Sequence, residues 1–321
     1  MARIGGPTAF PRPSMIVRPP QHWLFMVFTW RGSVLSSILP RLGLNLAFAL
    51  LVVALHGWFE GFGLHLSIGP FSLMGIALAI FLGFRNNTSY DRFWEARKLC
   101  GGVMVHTRSL LRQAIAMTGR APDDARIVHF AALLQAFAFA LKHQLRQTDP
   151  AADLARLLPA PLAARLAAAQ FAPAMLLREL GLWLAEERAA GRLSDILWQS
   201  LDANLDRLSD ILGSCERIAS TPLPYAYSVL LHRTIYLYCS LLPLGLVDSI
   251  GLLTPLISVF VAYTFMALES IAGELETPFG TEPNDLALDA ICRTVERTLL
   301  EMTDAPQLPP PLQPDAQYIL R

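Results

Sequence analysis

Apolar residues in this chain gather into long unbroken runs that bracket one large polar-rich block. Four runs are long enough to cross a bilayer core of about 30 Å as helices: residues 42–59, 68–84, 229–247 and 250–268. Pro70 stands near the start of the second, where a missing N–H costs little. Pro243 and Pro255 stand inside the last two and are expected to kink or interrupt them unless neighbouring groups satisfy the freed carbonyls. A shorter run at 21–30 (QHWLFMVFTW) cannot span and fits a segment lying in the membrane interface. Between the two pairs of runs, residues 85–228 are rich in Ala, Leu and Arg and poor in β-branched runs, which predicts helices throughout. Pro122, Pro150, Pro159, Pro161 and Pro173 cut this block into pieces of ordinary helix length. Within it, residues 127–146 carry a broad apolar face that predicts burial against neighbours.

The second run has an internal pattern. Ile76, Ile80 and Phe84 recur every four residues and so share one helical face. Gly75, Ala77, Ala79 and Gly83 lie between them and let neighbouring helices approach closely. A bulky apolar stripe with small flanks can pack against other helices or line a narrow hydrophobic constriction. The same helix then enters a dense polar patch, RNNTSYDRFWEARK, at 85–98.

Composition agrees with a membrane protein. The chain is 53% hydrophobic and 16% charged, where a soluble domain carries roughly a quarter charged residues. A formal net charge of zero argues against nucleic acid as a partner. The links at 60–67 and 248–249 contain no Lys or Arg, so the positive-inside rule puts both links outside and both termini in the cytoplasm. The proline-rich stretch 1–20 has no apolar core of the kind a cleavable signal peptide needs. Cys100, Cys215, Cys239 and Cys292 are far apart and are expected to be free thiols in helix cores. No histidine spacing favours a metal, and no Ser–His–Asp or paired-carboxylate arrangement is present, so the expectation is a non-enzyme without a cofactor or metal.

The expected organisation is all-α. A cytosolic or interfacial segment (1–41) is followed by a transmembrane hairpin (42–84) and a cytosolic helical region (85–228). A second hairpin (229–268) leads to a C-terminal segment (269–321) holding one amphipathic helix and an extended proline-rich tail.

Three blocks, FLGFRNNTSYDRFWEARKLCGG (81–102), TPLPYAYSVLLHRT (221–234) and ALESIAGELETPFGTEPNDLAL (267–288), resemble the bestrophin family in its bacterial branch. The resemblance covers roughly 22–147 and 194–302. It implies a homopentameric ion channel in the bacterial inner membrane, with the second span lining the pore. It assigns a hydrophobic neck to Ile76, Ile80 and Phe84, and a second, cytosolic constriction to Ile196 in DILWQSL. Eukaryotic bestrophins carry an unbroken acidic calcium clasp after the Pro-Phe-Gly turn. This chain has only Glu282, Asn284 and Asp285 around Pro283, fewer carboxylates than calcium's six to eight oxygens call for. Calcium gating is therefore not expected.

Two charged groups complete the picture. Asp195, Asp202 and Asp206, with Gln199 and Asp210, share one side of a helix. They read either as an ordinary solvated face or as a vestibule of acidic rings that attracts cations. Arg85, Asp91, Arg92 and Glu95 are expected to form a structural ion-pair network at the inner membrane edge, and His232 to snorkel or to pair with an acid. The expected function is passage of small monovalent ions, with cations such as sodium favoured and chloride as the alternative. A coupled transporter and a membrane scaffold without transport are the rivals from other classes.

Overall fold

The computed structural model describes residues 33–57, 66–315, 318 and 320. The expectations for residues 1–20 and 21–30, and most of the link at 60–67, fall outside the described residues. The described chain is helical and contains no strand. In order the helices are α1 (Leu35–Ala54), α2 (Ile68–Thr118), α3 (Ala125–Arg146), α4 (Ala151–Leu157), α5 (Ala160–Ala167) and α6 (Ala172–Ala189). They continue with α7 (Asp195–Ser220), α8 (Tyr225–Ile250), α9 (Thr254–Glu276) and α10 (Leu288–Met302).

Proline sets most of the boundaries. Pro122 lies in the link before α3, Pro150 precedes α4, Pro159 precedes α5, and Pro173 sits in the first turn of α6. Pro255 does not interrupt a span. It occupies the first turn of α9, after a 3₁₀ turn at Gly251–Leu253, where no intrahelical N–H bond is lost. Pro243, by contrast, lies inside α8, which continues through it. α1 likewise contains Pro40 and begins at Leu35, upstream of the apolar run read from sequence.

The chain divides into two compact units. One consists of α1, α2 up to Phe93, and Pro222–Thr277 with α8 and α9. Its core joins Ile38 and Leu42 of α1, Leu78 and Leu82 of α2, Ile235 and Cys239 of α8, and Ala262 and Met266 of α9. Two glycines bring helices into direct contact. A Cβ on Gly75 would lie 2.8 Å from the Tyr238 hydroxyl, and one on Gly245 would lie 2.5 Å from the Phe71 ring. Large apolar side chains such as Leu44, Leu73, Leu256 and Phe260 point outward, as lipid-facing surfaces do.

The other unit comprises Trp94–Thr221 and the chain from Pro278 onward. α3 is its centre. That helix is apolar enough to span a membrane, yet 72% of its apolar window is buried, against 17–33% for the other candidate spans. It is a core helix, with Phe130, Leu134 and Phe137 fully enclosed. Asp124 caps its N-terminus by accepting from the Arg126 N–H (2.8 Å). The Phe130 and Trp183 rings stack at 4.3 Å, and the Trp183 indole donates to the Arg126 carbonyl. Buried Glu187 receives the guanidinium groups of both Arg120 and Arg126 at 3.0 Å. A second polar cluster ties α3 to α4 and α10: Lys142 Nζ reaches Asp153 (3.1 Å) and Asp289 (2.9 Å), and His143 Nε2 lies 2.9 Å from Asp153.

All four cysteines are free and buried. Burial pushes the Cys100 thiol up to about 12, so it carries no thiolate at neutral pH.

Candidate functional site

α2 presents two contrasting faces. Leu78 and Leu82 enter the core, whereas Ile76, Ile80 and Phe84 are exposed on the chain's surface. The exposed stripe extends about 12 Å along the helix axis. A Cβ on Gly83 beside it would meet no side chain or neighbouring helix within 4 Å among the described residues. Seven positions after Phe84, on the same face, stands exposed Asp91. The apolar stripe thus passes into a polar one along a single helix side.

Arg85 turns the other way. Its guanidinium is buried, 3.4 Å from Glu269 and 3.6 Å from Glu276 on α9. Arg92 Nε donates to the Glu276 backbone carbonyl (2.9 Å), and the Leu223 N–H donates to the Glu276 carboxylate (3.2 Å). These bonds clamp α2 to the end of α9. His232 pairs with Glu269 at 3.3 Å, as expected of a histidine in an apolar span. Glu95 points elsewhere and binds Arg217 of α7 at 2.7 Å. Asp91 has no ion-pair partner among the described residues. The four charges read as one network therefore divide. Arg85 and Arg92 act together through Glu269 and Glu276, two carboxylates that the sequence reading did not single out. Both lie in the block 267–288, seven residues apart on one helix face, and that spacing is the signal that could have found them.

Ile196 occupies the first turn of α7 and is 80% exposed. Ser194 caps the helix by accepting from the Leu197 N–H. Asp195 is engaged by the Arg188 guanidinium, whose Nε and Nη2 both lie 2.8 Å from its carboxylate. Asp202 and Asp206 follow one turn apart. Partial burial first, and then the Asp206 charge, raise the Asp202 carboxyl above its ordinary value.

The turn after α9 closes on itself. The Glu282 N–H donates to the Asp285 carboxylate (2.7 Å), the Asp285 N–H to the Glu282 carbonyl (3.1 Å), and the Leu286 N–H to the Pro278 carbonyl (3.0 Å). The Arg146 guanidinium donates to the carbonyl oxygens of Phe279 and Leu286 and binds Asp289 at 2.7 Å. A positive group thus already engages two carbonyls of this turn.

Outward apolar helices with an inward ion-pair cluster define a multi-pass helical membrane protein. The family model for bacterial/fungal bestrophin proteins matches residues 15–301. A voltage-dependent anion channel-forming protein of Ralstonia nicotianae is 49% identical over 294 residues, covering 92% of this chain and 96% of that one. The voltage-dependent anion channel-forming protein YneE of Escherichia coli is 47% identical over 306 residues, covering 95% of this chain and all of that one. Among solved structures, a bacterial bestrophin homolog from Klebsiella pneumoniae superposes with a TM-score of 0.80 at 46% identity, over 83% of this chain and 98% of that one. The chain belongs to the bestrophin family, in its bacterial and fungal branch.

Proposed function

We propose that this chain is the subunit of a homopentameric ion channel of the bacterial inner membrane, with both chain ends cytoplasmic. The observation that carries this reading is the exposed stripe Ile76–Ile80–Phe84 on a helix that seats Leu78 and Leu82 in the core. Five copies of that stripe around an axis make a narrow apolar neck. Such a neck blocks ions by dewetting and conducts when the ring side chains turn aside. Ile196, exposed at the head of α7, forms the second constriction. The chain does no covalent chemistry; its residues shape a path.

Apolar rings do not choose the sign of the ion. Asp91 continues the neck's face, and Asp202 with Asp206 repeats a negative pair five times, which favours small monovalent cations. The engagement of Asp195 by Arg188 weakens its share of the vestibule. The names of the Ralstonia and Escherichia relatives favour the second reading, an anion channel. The proposed layout is two membrane hairpins flanking a cytosolic helical region. Conduction requires no resident calcium, because Arg146 already serves the turn where a clasp would form.

Reversal potentials of purified protein in planar bilayers under a sodium chloride gradient test this. Cation selectivity puts the reversal near the sodium equilibrium potential, and Asp202→Asn with Asp206→Asn moves it toward zero. A reversal near the chloride potential selects the anion reading, and an unmoved value in the double variant discards the acidic vestibule. Chelating calcium leaves the current unchanged.

A further inference from the structure

A cavity of about 340 Å³ opens in the membrane unit between α1, α8 and α9. Its α1 wall consists of Arg41, Leu44, Asn45 and Phe48, spaced so that all four share one face over about 10 Å. Tyr236 and Ser240 of α8 and Met266 of α9 complete it. One end is therefore cationic and hydroxyl-bearing, and the rest is largely apolar.

Arg41 is the feature that demands a ligand. It stands within a membrane-length helix, and among the described residues no carboxylate lies within ion-pair distance of it. Its contacts are to a phenol: Nη1 donates to the Tyr236 hydroxyl at 2.6 Å, and the guanidinium lies 5.7 Å from the ring centroid. A phenol does not neutralise a guanidinium, and at the inner edge of the membrane, where the orientation given above puts Arg41, an anionic headgroup does. Asn45 is also unfinished. It is 93% buried and gives its Nδ2 to the Cys239 carbonyl at 2.7 Å, while its Oδ1 has no partner among the described residues.

We propose that this cavity binds an anionic membrane phospholipid. Its phosphate sits on Arg41 and the Tyr236 hydroxyl, its glycerol region near Asn45 and Ser240, and an acyl chain along Leu44, Phe48 and Met266. The charge selects an anion, and the apolar walls select one that carries hydrocarbon. The proposal rests on the membrane orientation given above, which puts Arg41 near the inner leaflet's headgroups. The Tyr236 ring also lies against His232, tilted, with centroids 4.3 Å apart, and His232 binds Glu269, the partner of Arg85. The site thus shares a wall with the ion-pair cluster beside the neck.

Native mass spectrometry of the full-length protein in neutral detergent, with equimolar phosphatidylglycerol and phosphatidylcholine, tests the proposal without any ion flux. A chain that conducts nothing still reports on this site. Wild type retains phosphatidylglycerol preferentially, and Arg41→Gln lowers that preference about tenfold, the loss of one charge-assisted contact. Leu44→Trp crowds the open, lipid-facing side of the cavity while leaving the charge, lowers retention likewise, and decides the matter if Arg41→Gln does not fold. Unchanged retention in the variant that folds overturns the proposal. Displacement of the lipid by inorganic phosphate alone would mark a free-anion site and overturn it too. So would loss of the oligomer in both variants with no lipid retained by wild type, since a neighbouring copy then covers the face.

Discussion

Phe84 and Arg85 are consecutive, yet Phe84 is 63% exposed and Arg85 only 5%. Each residue of a helix turns about 100° from the last, so neighbours can serve opposite surroundings. Here the apolar side chain faces outward and the charged one inward, the reverse of a soluble helix. The inward charge is tolerated because two carboxylates meet it. Replacing Ile76, Ile80 and Phe84 together by Ala is expected to raise single-channel conductance several-fold, because smaller, less apolar rings wet more readily. Single-channel current of the reconstituted variant is the measurement, and an unchanged value would sink the neck assignment. The stripe was legible from spacing alone, since 76, 80 and 84 share a face in any helix. The partners of Arg85 were not, because Glu269 lies 184 residues away and only the packing of α2 on α9 brings it near.

The elements were legible to the extent that they are punctuated. Proline marks the starts of α4 to α6, and the four apolar runs each lie within or close to an observed helix. The ends were less so. α2 continues without a break from the apolar run to Thr118, because nothing between Gly83 and Thr118 forbids helix. α3 shows the limit of composition: it is apolar enough to span, though less so than the other three candidates, and the partners that bury it set it apart. Close helix contacts are where single residues act on whole elements. Gly245 admits the Phe71 ring at a distance no Cβ tolerates. Gly245→Ala is therefore expected to destabilise the membrane unit by about 1–3 kcal/mol, the usual cost of overpacking. That outweighs the roughly 1 kcal/mol gained in helix propensity. A lower melting temperature of the detergent-solubilised variant checks this; an unchanged or higher one would mean that α2 and α8 part without cost.

For the molecule as a whole, acid should act through the cluster that joins α3, α4 and α10. His143 and then Lys142 hold the Asp153 carboxyl well below its ordinary value of 3.8. A carboxyl depressed in the folded state stabilises that state above the unfolded value, and the contribution fades as pH falls below it. Thermal stability of the wild type is expected to fall as pH is lowered from about 5 to about 3, and Asp153→Asn to flatten that slope. An equally steep slope in the variant would assign acid sensitivity to other groups. The ion pair between Arg85 and Glu269 has a consequence for how the protein is made. Its two members leave the ribosome 184 residues apart, which at 5–20 residues per second is roughly 10–40 s. Throughout that interval α1 and the apolar part of α2 are already synthesised while the carboxylates for Arg85 do not exist, and its guanidinium must remain hydrated at the membrane edge. The membrane unit can close only when α9 arrives. A nascent chain truncated before that point keeps an unpaired charge at the lipid boundary.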